Sequence, residues 1–219
     1  SKAAGKMIDE VFGSLPAKGK IKPVPPAKID FDGRFLKIDR AAGQNVMVAA
    51  ARGVARNDAD FYPLYVADYI LGGAGLNSRL NQSIREKKGL SYGVYTYLSL
   101  DDKAPLIMAG MATTPDKYDE AQELFAQEWA YFGEGNVTAA ELQQAKDYLT
   151  ASYNLRFASI DNIAGILTAM QKYNLGRDFL EKRNSYVEAV TLEEVNQAAK
   201  RYFNPRQMVG GAIGSFEKQ

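Results

Sequence analysis

The chain of 219 residues contains no histidine and no cysteine. Histidine is the usual general base near neutral pH and the commonest metal ligand, so serine–histidine catalysis and histidine-containing zinc sites are excluded for this chain by itself. The absence of cysteine excludes disulfides, thiolate zinc sites and thiol nucleophiles. Any catalytic role therefore depends on chemistry that another polypeptide segment supplies.

An excess of charge of one sign is also lacking. The chain has 27 basic and 26 acidic residues, a net charge of +1, and this balance gives no sign of a nucleic acid or membrane partner. No apolar run approaches the length that spans a bilayer, and the start SKAAGKMIDEVFGSLP has no signal-type apolar core. We expect a segment of a longer chain, in the periplasm or cytoplasm of a bacterium, with the periplasm preferred.

The sequence divides into a terminal segment and one large domain. Residues 3–13 have helical spacing of apolar side chains, and the segment AKGKIKPVPPAKID that follows is typical of an extended proline-rich linker. We assign residues 1–28 to a terminal helix of a preceding half plus this linker. Residues 29–219 form the second unit, which is long enough to bury a sizeable core.

The order of elements in that unit predicts an α+β fold, with helices packed on an antiparallel or mixed sheet. Residues 33–40 and 45–53 are predicted to pair as a β-hairpin, and YGVYTYLSL and APLIMAGMAT to form a second one. Further predictions are a helix at about 60–71 capped by Asn57 or Asp58, and a helix with Leu76, Leu80 and Ile84 on its apolar face. Five later helices and a last strand follow. The first of these helices begins at Thr114–Pro115 with Tyr118, Ala121, Phe125 and Trp129 on one face, two others begin with capping boxes at Thr138/Glu141 and Thr191/Glu194, and two more run over about 160–173 and 178–187.

Glycines at 72, 73 and 75 precede a predicted helix and could present backbone N–H groups to an anion. The sequence GGAGLN departs from the dinucleotide pattern at Asn77, so the residues by themselves favour a flexible connection between helices over an anion site. Close acidic pairs, at 58 and 60 and at 101 and 102, are explained by caps and turns. A Ser83–Lys87 dyad is disfavoured because that lysine is flanked by other charges.

Arg85 and Tyr92 are the candidate catalytic residues. Gly89 can reverse the chain at the end of the helix, so that the guanidinium and the phenol converge on one carbonyl oxygen. Two donors placed in this way stabilise a developing oxyanion. The alternative is that Tyr92 is a core aromatic residue and Arg85 a surface ion-pair partner, and spacing alone favours this alternative.

The stretch GGAGLNSRLNQSIREKKGLSYGVYTY resembles the second-half signature of the pitrilysin/insulinase family of zinc metallopeptidases, the inverzincins. The segments PLYVADYILGG, MAGMATTPDKYDEAQELF, TAAELQQAKDYLTASY and TLEEVNQAAKRYFNPRQMVGGAIG extend the resemblance over most of the chain. It implies the half-domain of the LuxS/metallopeptidase-like fold. Family members close two homologous halves around a peptide, and only one half carries the zinc-binding HxxEH motif.

Because this chain has no histidine, the resemblance identifies it as the non-catalytic C-terminal half or partner subunit. The resemblance implies that Arg85 and Tyr92 position the scissile carbonyl and stabilise the tetrahedral intermediate, and that Gly72, Gly73 and Gly75 border the substrate. It implies no metal in this chain, zinc in a homologous partner half, and a peptide substrate, without nucleic acid or membrane. Two other functions stay open: an assembly module with no role in catalysis, and a small-anion binder that uses the glycine loop.

Overall fold

The computed structural model describes residues 2–216 and shows an α+β architecture, as predicted. One five-stranded sheet carries the core on one face, where the helices pack. The strands are β1 (Phe35–Asp39), β2 (Asn45–Arg52), β3 (Gly93–Asp101), β4 (Ala104–Thr113) and β5 (Val209–Gly214). The α-helices are α1 (Lys2–Phe12), α2 (Phe61–Asp68), α3 (Tyr118–Phe132), α4 (Ala139–Ala151), α5 (Ile160–Lys172), α6 (Phe179–Glu188) and α7 (Leu192–Tyr202).

The sheet is mixed, and its first two strands do not form the predicted hairpin. The strand order is β1-β5-β2-β4-β3, with β1 parallel to β5 and the other pairs antiparallel. The last strand lies between β1 and β2 because it is rich in glycine there. A Cβ on Gly210 would stand 2.6 Å from the Val48 carbonyl oxygen and 3.0 Å from the Phe35 ring. Close approach of three strands therefore decides a pairing that local sequence cannot reveal.

The second predicted hairpin is confirmed. β3 pairs with β4 from Gly93↔Ala112 to Asp101↔Ala104, so the turn lies at residues 102–103. β3 is one edge of the sheet, and β4 joins it to the centre. The predicted inward face of α3 is also confirmed, since Tyr118, Ala121, Phe125 and Trp129 are all buried.

Two helix starts have the predicted reciprocal caps. The Thr138 hydroxyl accepts from the Glu141 amide, and the Glu141 carboxylate accepts from the Thr138 amide at 2.9 Å. Thr191 and Glu194 form the same pair at the start of α7. Each arrangement satisfies amide groups that the first helical turn leaves unpaired.

The predicted cap of α2 is wrong. Asp60 occupies the cap position without a side-chain cap bond, and its Oδ2 instead accepts from the Tyr202 hydroxyl at 2.6 Å. Asp58 forms a local turn by accepting from the Asp60 amide at 2.9 Å, and Asn57 donates to the Tyr173 carbonyl at 2.8 Å. The side chains of residues 57, 58 and 60 are therefore used in these hydrogen bonds and do not cap α2.

The helix predicted at 60–71 changes type part-way. α2 ends at Asp68 and continues as a π-helical turn, Tyr69–Gly73, which is followed by a 3-10 turn, Gly75–Asn77. Leu76 was expected on an apolar face but lies in that 3-10 turn and is exposed. Leu80 and Ile84, expected on the same face, are fully buried. The helix that contains Ile84 is a π-helix, Asn81–Lys87, called the motif helix below.

The sheet face opposite the helices retains exposed apolar side chains, and so does α1, none of whose residues is buried. On the sheet these side chains are Leu36, Ile38, Val46, Val48, Tyr95, Tyr97 and Ile213. No helix among residues 2–216 is long and apolar enough to cross a membrane.

Candidate active-site turn and adjoining cavity

The motif helix is fastened to the sheet at its start. The Ser78 hydroxyl lies 3.4 Å from the Asn81 amide and 3.0 Å from the Asn81 side-chain nitrogen, and it donates to the Gly75 carbonyl at 2.8 Å. Asn81 Nδ2 also donates to the Val94 carbonyl of β3 at 2.6 Å. Since Ser78 and Asn81 are both buried, these hydrogen bonds fix the helix against the strand.

Arg79 ties the motif to the start of α4. Its guanidinium binds both carboxylate oxygens of Glu141, at 2.6 and 2.8 Å, and the side chain and carbonyl of Asn136, at 2.6 and 3.0 Å. Burial alone raises the pKa of Glu141, but donation by Arg79 and Thr138 lowers it to about 2. The Ser-Arg-Leu start of the motif therefore has a structural role. Ser78 caps the helix that follows it, Arg79 forms an ion pair with Glu141, and Leu80 is buried in the core.

The turn after the motif helix is held by its backbone. Gly89 has a φ of +61°, its amide donates to the Arg85 carbonyl at 2.9 Å, and the Leu90 amide donates to the Ile84 carbonyl at 2.9 Å. These two bonds close the end of the helix, as predicted for Gly89. On the outside, Lys117 Nζ donates to the Gly89 carbonyl at 3.0 Å.

The same turn is anchored to β4 just before β3 begins. The Thr113 hydroxyl donates to the Leu90 carbonyl, and the Ser91 hydroxyl donates to the Ala112 carbonyl at 2.6 Å. Ser91 Oγ also accepts from the Gly93 amide at 3.1 Å. The backbone on both sides of residue 92 is therefore fixed by buried partners.

Neither candidate catalytic side chain is buried. Tyr92 is 84% exposed although Ser91 and Val94 beside it are buried. The Arg85 side chain is 38% exposed, and its nearest ion-pair contact is a long one of 3.6 Å to Glu86. Tyr92 is thus not the core aromatic of the alternative interpretation. Their assignment as catalytic residues stays a prediction.

The three glycines predicted to border the substrate have different surroundings. Gly72 is buried, and a Cβ there would stand 2.5 Å from both the amide nitrogen and the hydroxyl of Thr96, so it lets the π-helical turn pack closely on β3. Gly73 is exposed, with Asp68 as its nearest neighbour. Gly75 has a φ of +58° and open space around it. A role in substrate binding stays a prediction for all three.

The described residues do not fit a zinc ion. No group of three or more histidine, cysteine, aspartate or glutamate residues that could hold a metal occurs among residues 2–216. Asp58 and Asp60 form turn and tertiary contacts, and Asp101 accepts from Ser99 at 2.9 Å on the exposed end of β3. Ser83 lies 3.4 Å from the Leu80 carbonyl and has no recorded contact with Lys87.

Residues 2–149 match the family described as the peptidase M16 inactive domain. The chain belongs to this family. The resemblance to pitrilysin/insulinase zinc metallopeptidases is therefore confirmed for the inactive half. The match covers the motif helix, the glycine loop and the turn that carries Tyr92.

Related proteins and solved structures support this family assignment. The chain is 27% identical over 199 residues to an uncharacterized zinc protease of Bacillus subtilis, YmxG, which covers 90% of this chain and 48% of the relative. A peptidase M16 inactive domain structure from Pseudomonas fluorescens superposes with a TM-score of 0.86 and 28% identity, covering 100% of this chain and 52% of the other. A non-peptidase homolog of Helicobacter pylori is 26% identical over 150 residues, 68% of this chain and 34% of its own length.

The chain thus spans about half the length of the curated relatives it matches. Several of these relatives are named as zinc proteases, whereas residues 2–216 of this chain contain no group that could hold a metal ion. The chain itself is the inactive M16 domain of a zinc protease-like protein.

A large cavity lies on the helical side of β3, a feature that the sequence interpretation missed. Its volume is about 720 Å³, and it is lined by Thr96, Leu98 and Leu100 of β3 together with residues of α2, α4, α5 and α6. Eight aromatic side chains on this side of the sheet line it: Phe61, Tyr62, Tyr65, Tyr69, Tyr148, Tyr153, Tyr173 and Phe179. The cavity has the size typical of small-molecule sites.

The cavity contains a buried carboxyl group of which one oxygen lacks a hydrogen-bond partner among the described residues. Asp68 is only 6% exposed, and its Oδ1 has no hydrogen-bond partner in the described part of the chain. Burial raises the pKa of Asp68 to about 7. The sequence carried a signal for this site, because Asp68 follows Leu64 by one helical turn on an otherwise apolar face.

Proposed function

We propose that this chain is the substrate-enclosing half of a zinc metalloendopeptidase, and that Arg85 and Tyr92 act on the peptide bound between the halves. The zinc ion and its ligands belong to the homologous partner half, in the same longer chain or in a separate subunit. In this arrangement the Arg85 guanidinium and the Tyr92 hydroxyl donate to the scissile carbonyl oxygen. Their contribution grows as negative charge develops on that oxygen in the tetrahedral intermediate.

The single observation that carries this proposal is the exposure of Tyr92 on a rigid turn. Leu80, Ile84 and Leu90 of the motif enter the core, and buried hydrogen bonds fix the backbone around residue 92, yet Tyr92 is 84% exposed. Because the backbone is already fixed, only the side-chain rotamers of Tyr92 remain to be ordered when it binds a ligand. Such a side chain is suited to contact a partner or substrate.

The decisive experiment measures cleavage of an internally quenched peptide by the assembled enzyme, with this chain joined to its zinc-bearing half. We expect Arg85→Ala and Tyr92→Phe each to lower kcat by about 10²- to 10³-fold, the usual effect of removing one oxyanion donor. Thermal unfolding and association with the zinc half should stay unchanged, since neither side chain is buried.

Matched controls are available on nearby surfaces. Lys87→Ala removes an exposed cation from the same helix, and Tyr131→Phe removes a hydroxyl from an exposed tyrosine on α3. Both controls should retain full kcat. Unchanged turnover in both Arg85→Ala and Tyr92→Phe, with intact assembly, would refute the proposed role.

An assembly module is the second candidate, because one relative is described as a non-peptidase homolog. Under this alternative the chain pairs with a partner through its exposed apolar sheet face and performs no catalysis. The same two substitutions then leave every property of the complex unchanged, and the assembled complex cleaves no peptide even when zinc is supplied. The kinetic experiment therefore separates the two functions.

A further inference from the structure

The cavity beside β3 is strongly unbalanced in charge. Among the residues that line it, the charged side chains are Arg56, Arg156, Arg183 and Asp68, three cations against one carboxyl group. No ion pair within residues 2–216 includes any of these four. A cluster of arginines in an aromatic cavity without a carboxylate partner is unfavourable unless an anion compensates it.

Arg183 makes this imbalance costly because it is only 6% exposed. Its hydrogen bonds go to neutral groups: the Leu149 carbonyl at 2.5 Å, Asn184 Oδ1 at 2.9 Å and the Tyr65 hydroxyl at 3.2 Å. The guanidinium carbon lies 4.5 Å from the centre of the Tyr153 ring. The arginine is therefore held in place, with its positive charge left uncompensated.

The other arginines lie in the same part of the cavity. Arg56 stacks 4.0 Å from the centre of the Phe61 ring and donates to the Tyr62 hydroxyl at 3.1 Å. Arg156 is exposed at the mouth of the cavity, and the Tyr153 pKa responds to the charges of Arg56, Arg156 and Arg183 together. The Tyr153 hydroxyl is buried without a hydrogen-bond partner among the described residues.

Asp68 does not neutralise these cations. It lies next to Gly73 and Thr96, and among residues 2–216 it forms no ion pair with an arginine. The carboxyl group therefore leaves the charge of the arginines uncompensated. A cationic ligand would gain one partner there and meet three positive charges elsewhere in the cavity, so the charge balance favours an anion.

We infer that this cavity binds a small amphipathic carboxylate, whose apolar body contacts the aromatic walls and whose carboxylate pairs with Arg56, Arg156 and Arg183 beside the Tyr153 hydroxyl. Planar guanidinium groups match carboxylate oxygens in geometry, and aromatic side chains supply most of the buried contact area. The inference is independent of Arg85 and Tyr92, which do not line the cavity.

Calorimetric titration of this chain with a matched pair of probes tests the inference. N-acetyl-L-phenylalanine carries a carboxylate, whereas N-acetyl-L-phenylalaninamide has the same body without the charge. We expect the acid to bind at least about tenfold more tightly than the amide, the factor that one charge-assisted hydrogen bond provides. Dodecanoate is the third probe. Its affinity relative to that of N-acetyl-L-phenylalanine shows whether the cavity prefers a carboxylate with an alkyl chain or one with an aromatic ring.

Substitutions of residues that line the cavity test whether the probes bind there. Arg56→Gln and Arg156→Gln should each abolish most of the preference for the acid, whereas Arg34→Gln, at an exposed arginine paired with Asp32, should leave it unchanged. Ala169→Trp fills the cavity from α5 and should prevent binding of every probe, with the circular dichroism spectrum unchanged. These variants avoid Arg183, whose substitution could unfold the chain.

Three results would overturn the inference. They are equal affinity for acid and amide, absence of binding of both carboxylates at millimolar concentration, and an acid preference that survives in the Arg56→Gln/Arg156→Gln double variant. Stronger binding of dodecanoate than of N-acetyl-L-phenylalanine supports the inference with an alkyl ligand, and the reverse order supports it with an aromatic one.

Discussion

The two ends of β3 are packed in opposite ways. At its start, the motif helix and the turn at Gly89–Gly93 satisfy their buried polar groups through Ser78, Asn81 and Ser91. At its far end, Thr96, Leu98 and Leu100 face a cavity of about 720 Å³ that contains Asp68, whose Oδ1 has no hydrogen-bond partner among the described residues. A single strand thus supports a close-packed frame that presents two exposed side chains and an underfilled space that can accept a ligand.

The difference shows how a fold provides two kinds of site. Rigid presentation needs satisfied backbone groups, since any unpaired buried amide or carbonyl would allow the turn to rearrange. A ligand cavity needs the reverse, because groups that already have partners have little to offer a ligand. The following predictions test whether the two ends of β3 differ in this manner.

The largest expected effect is the pH dependence caused by Asp68 at the cavity end. Burial raises its pKa from 3.8 to about 7, so the folded state favours the protonated acid. The contribution of protonated Asp68 to the unfolding free energy is complete below pH 3.8 and is lost as the pH rises through 7. The difference in unfolding free energy between wild type and Asp68→Asn should change by up to about 4 kcal/mol between pH 4 and pH 8, with the variant favoured at pH 8.

Urea unfolding at a series of pH values measures this difference. Asp102→Asn, in the exposed turn between β3 and β4, is the control and should follow the wild-type profile. Parallel profiles for wild type and Asp68→Asn would mean that the carboxyl group is solvated or partnered. The buried polar groups at the cavity end of β3 would then be as well hydrogen-bonded or solvated as those at the motif end.

At the close-packed end, Arg79→Ala should destabilise the chain by roughly 3 kcal/mol, since it removes a bidentate ion pair that is mostly shielded from water. The loss leaves Glu141 with its cap contacts to Thr138 only, so the pKa of Glu141 should rise towards its usual value. Chemical denaturation measures the first effect, and a smaller loss of stability between pH 5 and pH 2 reports the second.

Its control is Arg34→Ala, which removes an arginine whose side chain is 74% exposed and should cost less than about 1 kcal/mol. If Arg79→Ala costs no more than this control, the motif's arginine has no structural role. The frame that holds the turn would then depend on the Ser78 and Asn81 hydrogen bonds alone.

Sequence patterns predicted the elements that depend on local chemistry. The capping boxes at Thr138 and Thr191, the turn at Gly89 and the buried face of α3 all follow from residues close together in the chain. The hairpin predicted for β1 and β2 failed because β5, near the other end of the described chain, inserts between them, and no local pattern encodes that pairing.

The candidate site was predictable in part for the same reason. Arg85 and Tyr92 belong to one continuous motif, so the sequence identified them together. The cavity collects Arg56, Asp68, Arg156 and Arg183 from separate helices and loops, and only the fold brings these residues to one space. Asp68 alone gave a local signal, as a carboxylate on an apolar helical face.

Gly72 and Gly73 lie between the close-packed frame and the cavity. Substituting them is expected to give the smallest changes in unfolding free energy. In Gly72→Ala the new methyl group would stand 2.5 Å from the Thr96 backbone, so the π-helical turn must move away from β3. Overpacking of this kind costs about 1 to 3 kcal/mol. In Gly73→Ala the nearest atom is the Asp68 carbonyl oxygen at 3.4 Å, so the change should be within about 1 kcal/mol of neutral.

Unfolding free energies of the two variants, measured side by side in urea, compare the close-packed frame and the cavity across one peptide bond. A methyl group at residue 72 presses on a strand that cannot yield, because β3 is paired with β4 along its whole length. A methyl group at residue 73 meets only Asp68, with its nearest atom at 3.4 Å, which is close to an ordinary van der Waals contact. Equal costs for the two variants would show that the π-helical turn moves as a unit, and the boundary between the two packing regimes would then lie elsewhere.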